Sequence, residues 1–238
     1  MKIIWAITGA GHLLRESIEV LEKLSQKHQI TITTTNAAQE VLQLYGQNTK
    51  IQEILEKNPE NQLITEKEQQ HSYPFAGKIT HTKYDLIILS PTTANTTAKI
   101  VTAIADNLIT NIIAQSAKAQ IPAIIIPVDQ KEGPTTTILP PHINKTNCTQ
   151  CNKCIPACNF NAINPPHINQ QKCTYCKKCE KTCPQNAIKI GEEITLHIRK
   201  IDAQNAKKLE EIENITTTTH PYNITRIIKK IEEKKKEN

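Results

Sequence analysis

The chain has 238 residues, of which 38% are apolar and only 3% aromatic, so any core must be built from Ile, Leu, Val and Ala. No run approaches the roughly 20 apolar residues of a membrane span, and the opening MKIIWAITGAG is interrupted too soon for a secretory signal; a cytoplasmic protein with no membrane partner is expected. The formal charge of +6 is uneven: residues 172–238 hold 15 Lys/Arg against 10 Asp/Glu, a net of +5, which leaves +1 for the rest.

Lys2 to Thr8 is a short apolar run that ends in Thr8-Gly9-Ala10-Gly11, followed by the helical spacing Leu13, Leu14, Ile18, Leu21, Leu24. Strand, glycine turn and helix aim backbone N–H groups at a phosphate. The dinucleotide fingerprint is not met, because Leu14 stands where its third glycine belongs. A second strand over Ile30 to Thr34 leads through Thr35-Asn36 into a helix from Ala37. The stretch 46–83 is polar and poorly periodic; some helix is expected near 50–57 and a loop through Ser72-Tyr73-Pro74. Asp85 to Leu89 is a continuous apolar run of the kind buried on both faces of a parallel sheet. Helices are expected over about 95–105 and 107–119, then a buried strand from Pro122 to Val128. Alternating strands and helices give an α/β fold with a doubly wound parallel sheet, and ligands at the strands' carboxyl ends.

All eight cysteines lie between Cys148 and Cys183, in two runs, CTQCNKCIPAC and CTYCKKCEKTCP. Each is C-x2-C-x2-C-x3-C, and the repeat of 25 residues extends to Asn161-Ala162-Ile163 and Asn186-Ala187-Ile188. Three closely spaced thiolates can hold three corners of a [4Fe–4S] cubane, and the fourth cysteine of each run ligates the other cluster. The expected sets are therefore Cys148, Cys151, Cys154 with Cys183, and Cys173, Cys176, Cys179 with Cys158. Zinc usually takes two separated pairs instead of four cysteines in one run. Asn159 follows Cys158 where the usual pattern has Pro, as Pro184 does after Cys183; this removes no ligand. Tyr175, between two ligands, could shield a cluster from water or simply pack. Two anionic clusters offset most of the basic excess, so no nucleic-acid partner is expected. The lysines at 234–236 read as a solvated helix end. ITLHIRKI, from Ile194, reads as a final strand, and ITRIIKKIEEKKK, from Ile224, as a terminal amphipathic helix.

SPTTANTTAKIVTAIADNLITN, from Ser90, resembles the signature of the homo-oligomeric flavoproteins that include the flavin-containing cysteine decarboxylases. TGAG at the start and TTNAAQEVLQLYG after the second strand extend the likeness over roughly residues 1–130. With the cysteine array, the whole chain is similar to the archaeoflavoprotein and dihydromethanopterin reductase (acceptor) branch. The resemblance implies a flavodoxin-like or Rossmann-like FMN domain over 1–135, a linker over 136–143, a small α+β two-cluster ferredoxin-like domain over 144–192, and a C-terminal extension over 193–238. It implies that Thr8, Gly9, Ala10, Gly11 and Thr35 hold the FMN phosphate. Pro91, Thr92, Thr93, Ala94, Asn95 and Thr96, with Ala105, Asp106 and Asn107, would line the flavin ring, often across a subunit boundary. Thr92, Thr93, Asn95 and Thr96 would equally serve as a capped helix start.

The decarboxylases' catalytic His is missing: position 77 is Gly, and His81 lies four residues before Asp85. Their Pro-Ala-Met-Asn segment is replaced by Ile126-Pro127-Val128-Asp129. Cysteine decarboxylation is not expected. The resemblance implies instead that a ferredoxin-like donor feeds the clusters and FMN, which reduces dihydromethanopterin; the alternative is an electron relay to a partner enzyme. It also implies a homotrimer or an assembly of trimers. No Asp, Glu or His stands out as a proton donor.

Overall fold

In the computed structural model residues 1–237 are described; the side chains of 234–237 fall outside that description, and so does the expected solvated end at those lysines. The first half runs β1 (Lys2–Ile7), α1 (Leu14–Ser25), β2 (Gln29–Thr34), α2 (Asn36–Leu44), α3 (Asn48–Lys57), β3 (Gln62–Thr65), α4 (Pro74–Lys78), β4 (Leu86–Thr92), α5 (Ala94–Val101), α6 (Leu108–Lys118) and β5 (Ala123–Pro127). Then come β6 (Gly133–Ile138), β7 (His142–Ile143), β8 (Ile163–Asn164), β9 (His167–Ile168), α7 (Lys178–Thr182), β10 (Ile188–Lys189), β11 (Glu193–Ile198), α8 (Lys200–Lys208), β12 (Ile215–Thr217) and α9 (Ile224–Glu237).

Six strands form one parallel sheet in the order β12-β5-β4-β1-β2-β3. Side chains alternate across a strand, and both faces of this sheet are apolar. Ile3, Trp5 and Ile7 of β1 pack with Leu14, Ile18 and Leu21 of α1 and with Ile224 and Ile228 of α9. Ile4 and Ala6 face the other way, toward Phe75 of α4 and Leu108, Ile109 and Ile112 of α6. The chain winds outward from β1 through β2 and β3, then returns to β4 on the other side of β1. The switch point is therefore between β1 and β4, where the carboxyl ends open a crevice.

Several expectations are corrected. The polar stretch 46–83 also holds the edge strand β3 and the short helix α4, which begins at Pro74 inside the expected loop. Pro is well suited to a first helical turn. The helix expected to 105 stops at Val101, because Ala103 is left-handed (φ 57°). Residues 136–143, expected as a linker, carry the end of β6 and all of β7. β6 pairs antiparallel with β11, Gly133 opposite Ile198 and Ile138 opposite Glu193, so these strands form a stem from which the cysteine array emerges. Beyond β11 the strand expected through Ile201 gives way to α8 at Lys200. The region after 193 is then part of the sheet domain: β12 pairs with β5, Ile215 opposite Ala123, and α9 covers α1. The array is thus inserted between two strands of one sheet.

The array itself contains little regular structure. β7 pairs with β10 and β8 with β9, two residues each. Its buried cluster consists of Ile143, Cys154, Ile163, Cys179, Ala187, Ile188 and Ile190. No described helix is long and apolar enough to cross a membrane.

Candidate functional site

At the switch point the Thr8 hydroxyl ties the first strand's end to the fourth. It donates to the Pro91 carbonyl (2.8 Å) and accepts from the Thr93 backbone N–H (2.8 Å). The Thr8 N–H also donates to Pro91 O (3.3 Å), and Thr35 N–H donates to Ile7 O (3.2 Å). Thr8, Thr35, Pro91 and Thr93 therefore share one edge. The loop between β1 and α1 is closely packed at its two glycines. A Cβ on Gly9 would lie 2.7 Å from Ala37 Cβ, and one on Gly11 would lie 2.3 Å from the Tyr45 hydroxyl. Such a backbone cradle, with helix N-termini beside it, suits a phosphate. Ala10 is buried in the same loop.

Each following helix is capped by a residue of the expected site. Thr35 Oγ1 accepts from Ala38 N (3.0 Å) at the start of α2. Thr93 Oγ1 accepts from Thr96 N (3.2 Å) at the start of α5. Asn107 Oδ1 accepts from Thr110 N (2.9 Å) at the start of α6. Thr92 and Thr96 are buried, Ala94 is half-buried, and Asn95 is exposed on the first turn of α5. Ala105, Asp106 and Asn107 lie beyond the far end of α5. There Lys99 Nζ donates to both Asp106 oxygens (2.7 and 2.9 Å), and Tyr73 Oη donates to Asp106 O (3.1 Å). The structure thus gathers residues 8–11, 35 and 91–96 along one edge and leaves 105–107 at the opposite end of a helix. His81 is exposed.

Two groups escaped the reading of the sequence. Glu66 joins two helix starts, accepting from Asn36 N (2.9 Å) and Leu108 N (3.2 Å); an acid just after a strand was the available signal. His12, Asp129 and His220 also gather near the carboxyl ends of β1 and β5. Burial pushes the His12 imidazole below its ordinary range, against the pull of nearby Glu16 and Asp129. Burial pushes the Asp129 carboxyl up, with Asp202 adding to the effect. The departure Pro127-Val128-Asp129 pointed to this acid without giving it a neighbour.

The 25-residue repeat is a repeat of conformation. Left-handed backbone recurs at Gln150 and Tyr175 (φ 52° and 58°), at Asn152 and Lys177 (60° and 61°), and at Asn161 and Asn186 (50° and 47°). Cys158 Sγ accepts from Ala162 N, and Cys183 Sγ from Ala187 N, both at 3.3 Å. Cys154 and Cys179 are the buried members; Cys151 and Cys176 are exposed, and the other four are intermediate.

The thiols fall into two sets. Burial pushes the Cys154 thiol up, and Cys183, Cys148 and Cys151 stand close enough to add to that shift. Burial likewise raises Cys173, with Cys158 and Cys176 nearby. It takes Cys179 up to about 11, with Cys173 and Cys158 nearby. Cys148, Cys151, Cys154 and Cys183 line one cavity with Pro184 and Ile188. Among the described residues no three His, Cys, Asp or Glu side chains close around a point where one metal ion could sit.

Residues 1–180 match the Flavoprotein family. The dihydromethanopterin reductase (acceptor) of Methanocaldococcus jannaschii is 47% identical over 231 residues, 94% of each chain. The Methanosarcina mazei protein of the same name is 35% identical over 158 residues, 65% of this chain and 66% of that one. Burkholderia xenovorans DmrB, solved with FMN and described as a cubic protein cage for redox transfer, shares the fold. Its TM-score is 0.64 at 23% identity, covering 96% of this chain and 93% of DmrB. The chain belongs to the Flavoprotein family, on its dihydromethanopterin reductase (acceptor) branch, and is an oxidoreductase.

Proposed function

We propose that the chain reduces dihydromethanopterin to tetrahydromethanopterin with FMN, fed by a ferredoxin-like donor through two [4Fe–4S] clusters. The observation that carries the substrate is the 47% identity, over 94% of both chains, to a reductase of that name. FMN is supported by the Flavoprotein family match and by the fold shared with DmrB, which was solved with FMN. The clusters are supported by the repeated left-handed turns and the two thiol sets. When bound, FMN supplies the exchange between single electrons and the electron pair that a C=N reduction consumes.

The chain's own residues then have separable tasks. The N–H groups of Gly9 and Gly11, with the Thr35 hydroxyl, hold the phosphate at the helix starts, while the Ala10 N–H and the Thr8 hydroxyl shape the loop by donating to Thr8 O and Pro91 O. Thr8 fixes Pro91 and Thr93, so that the loop running from Pro91 through Thr92, Thr93, Ala94 and Asn95 to Thr96 presents hydroxyl and amide groups to the ring edge. Ala105, Asp106 and Asn107, distant from that loop within one chain, complete the pocket of a neighbouring subunit in a trimer or an assembly of trimers. Asp129, its carboxyl raised above the ordinary range by burial, stands at the same edge with His12 beside it, the acid nearest the proposed flavin ring for proton exchange. Cys148, Cys151, Cys154 and Cys183 hold one cluster, and Cys173, Cys176, Cys179 and Cys158 the other.

The test is anaerobic. Reconstituted, reduced protein is mixed with dihydromethanopterin while flavin absorbance is followed at about 450 nm. Reoxidation with stoichiometric tetrahydro product is expected. A flavin that stays reduced until a protein acceptor is added overturns the pterin reading in favour of the electron relay.

A further inference from the structure

We propose that the Tyr175 ring is the contact through which the array passes electrons to the flavin domain. The cluster on Cys173, Cys176, Cys179 and Cys158 is then the inner one, and the other is the entry point. This inference rests on the two-cluster reading above.

The two halves of the array have the same backbone but different surroundings. Tyr175 lies between Cys173 and Cys176, and its counterpart 25 residues earlier is Gln150, between Cys148 and Cys151. Gln150 is exposed, whereas Tyr175 is half-buried against the sheet domain. The Arg15 guanidinium of α1 sits 4.7 Å from the centroid of the Tyr175 ring. The Tyr175 hydroxyl donates to the Tyr45 carbonyl at 3.4 Å. Tyr45 in turn lies against the glycine cradle, its hydroxyl where a Gly11 Cβ would project. It donates from there to Ile138 O (3.1 Å), at the end of the stem strand β6. The adjoining contact is equally close: a Cβ on Gly46 would lie 2.2 Å from Gln170 O.

Contacts thus link the second thiol set to the glycine loop: the Tyr175 hydroxyl meets the Tyr45 backbone carbonyl, and the Tyr45 hydroxyl lies against Gly11. Electron tunnelling falls steeply with distance and falls faster across a gap than through packed atoms, so this is the favoured route. Gln150, Cys151 and Ile155 are exposed on the first set, where a one-electron carrier can dock; Cys176 of the second set is exposed as well, so the order rests on Tyr175 and not on thiol exposure. Each reduced carrier yields one electron to the outer cluster, which passes it to the inner one. Two such transfers, with two protons from solvent, reduce one flavin fully, and two carriers are left oxidised.

The test uses holoprotein with its clusters and FMN, reduced by a light flash, and reads the rate at which electrons pass from clusters to flavin. Tyr175→Leu should slow that step by roughly tenfold or more, the scale on which small misplacements of reacting partners act. Iron and flavin contents should stay at wild-type levels. Tyr175→Phe, which keeps the ring under Arg15, should restore the rate, and Gln150→Leu should leave it unchanged. An unslowed Tyr175→Leu protein with full cofactor content overturns the route, as does an equal slowing by Gln150→Leu. If Tyr175→Leu does not fold, EPR relaxation of the flavin decides. It should change in Cys176→Ser and not in Cys151→Ser; the reverse overturns the assigned order. An iron content well below eight per wild-type chain strikes at the two-cluster reading itself and is seen before any variant is made.

Discussion

Trp5, Ile4, Ile88 and Leu89 are fully buried between two layers of helices, so the parallel sheet is stabilised by apolar area removed from water. The cysteine array has no such resource. Its buried cluster is seven residues, two of them cysteines, and its paired strands are two residues long. A segment this small needs a staple, and its thiols are the groups available to bind one. One chain therefore holds a region with a large apolar core of its own and another whose own core is small. The antiparallel stem of β6 and β11 joins them.

The largest expected effect breaks the comparison if it is absent. Stripping iron should abolish hydrogen-exchange protection in the array, at Ala162 and Ala187 for example, whose amides point at sulfurs. Protection in β1 and β4 should persist. Simultaneous loss of both would show that the two regions are one cooperative unit. Conversely, Ile88→Ala should cost about 2–5 kcal/mol in denaturant unfolding of the sheet domain. Iron content should be unchanged; a protein stable within error would show the core to be looser than its packing implies.

Gly11→Ala sharpens the contact between the regions, because the new Cβ would meet the Tyr45 hydroxyl at 2.3 Å. A cost of about 1–3 kcal/mol is expected from overpacking, together with weaker FMN retention measured by fluorescence release. Unchanged retention would move the phosphate elsewhere. The smallest effect is a pH dependence at Asp129, whose folded-state carboxyl titrates above the ordinary range because of burial. Above that folded value the ionised form is disfavoured in the fold, so Asp129→Asn should stabilise the protein at pH 7. The gain should vanish as the pH falls below about 4, where the carboxyl is protonated in both folded and unfolded chains. Thermal unfolding at the two pH values checks this, and lower turnover in the same variant would tie the cost to function.

Much of this was legible in the residues themselves. The apolar run before Thr8-Gly9-Ala10-Gly11 marked the first strand, and the run ending at Leu89 marked the central one, because a strand buried on both faces must be apolar throughout. The 25-residue cysteine repeat is local chemistry at close spacing, and its conformational repeat follows from it. Thr93 was readable as a cap because a capping oxygen acts within three residues, whereas the caps Thr35 and Asn107 were read only as flavin-site residues. What could not be read were contacts made across the chain. β12 is three residues long, too short for any periodicity, and is a strand only because β5 offers an open edge. Glu66 gains its meaning from two helix starts that are 72 residues apart in sequence (36 and 108). Asp129 and His12 became neighbours only when the sheet brought the ends of β1 and β5 to one side. The sequence by itself determined the local elements and the thiol spacing, since these depend on neighbours a few residues apart. Only the tertiary structure decided that the array is inserted into the sheet domain and that Tyr175, and not Gln150, packs on Arg15 and Tyr45. Those facts depend on packing between segments more than 100 residues apart, such as Tyr175 on Tyr45, which no local pattern encodes.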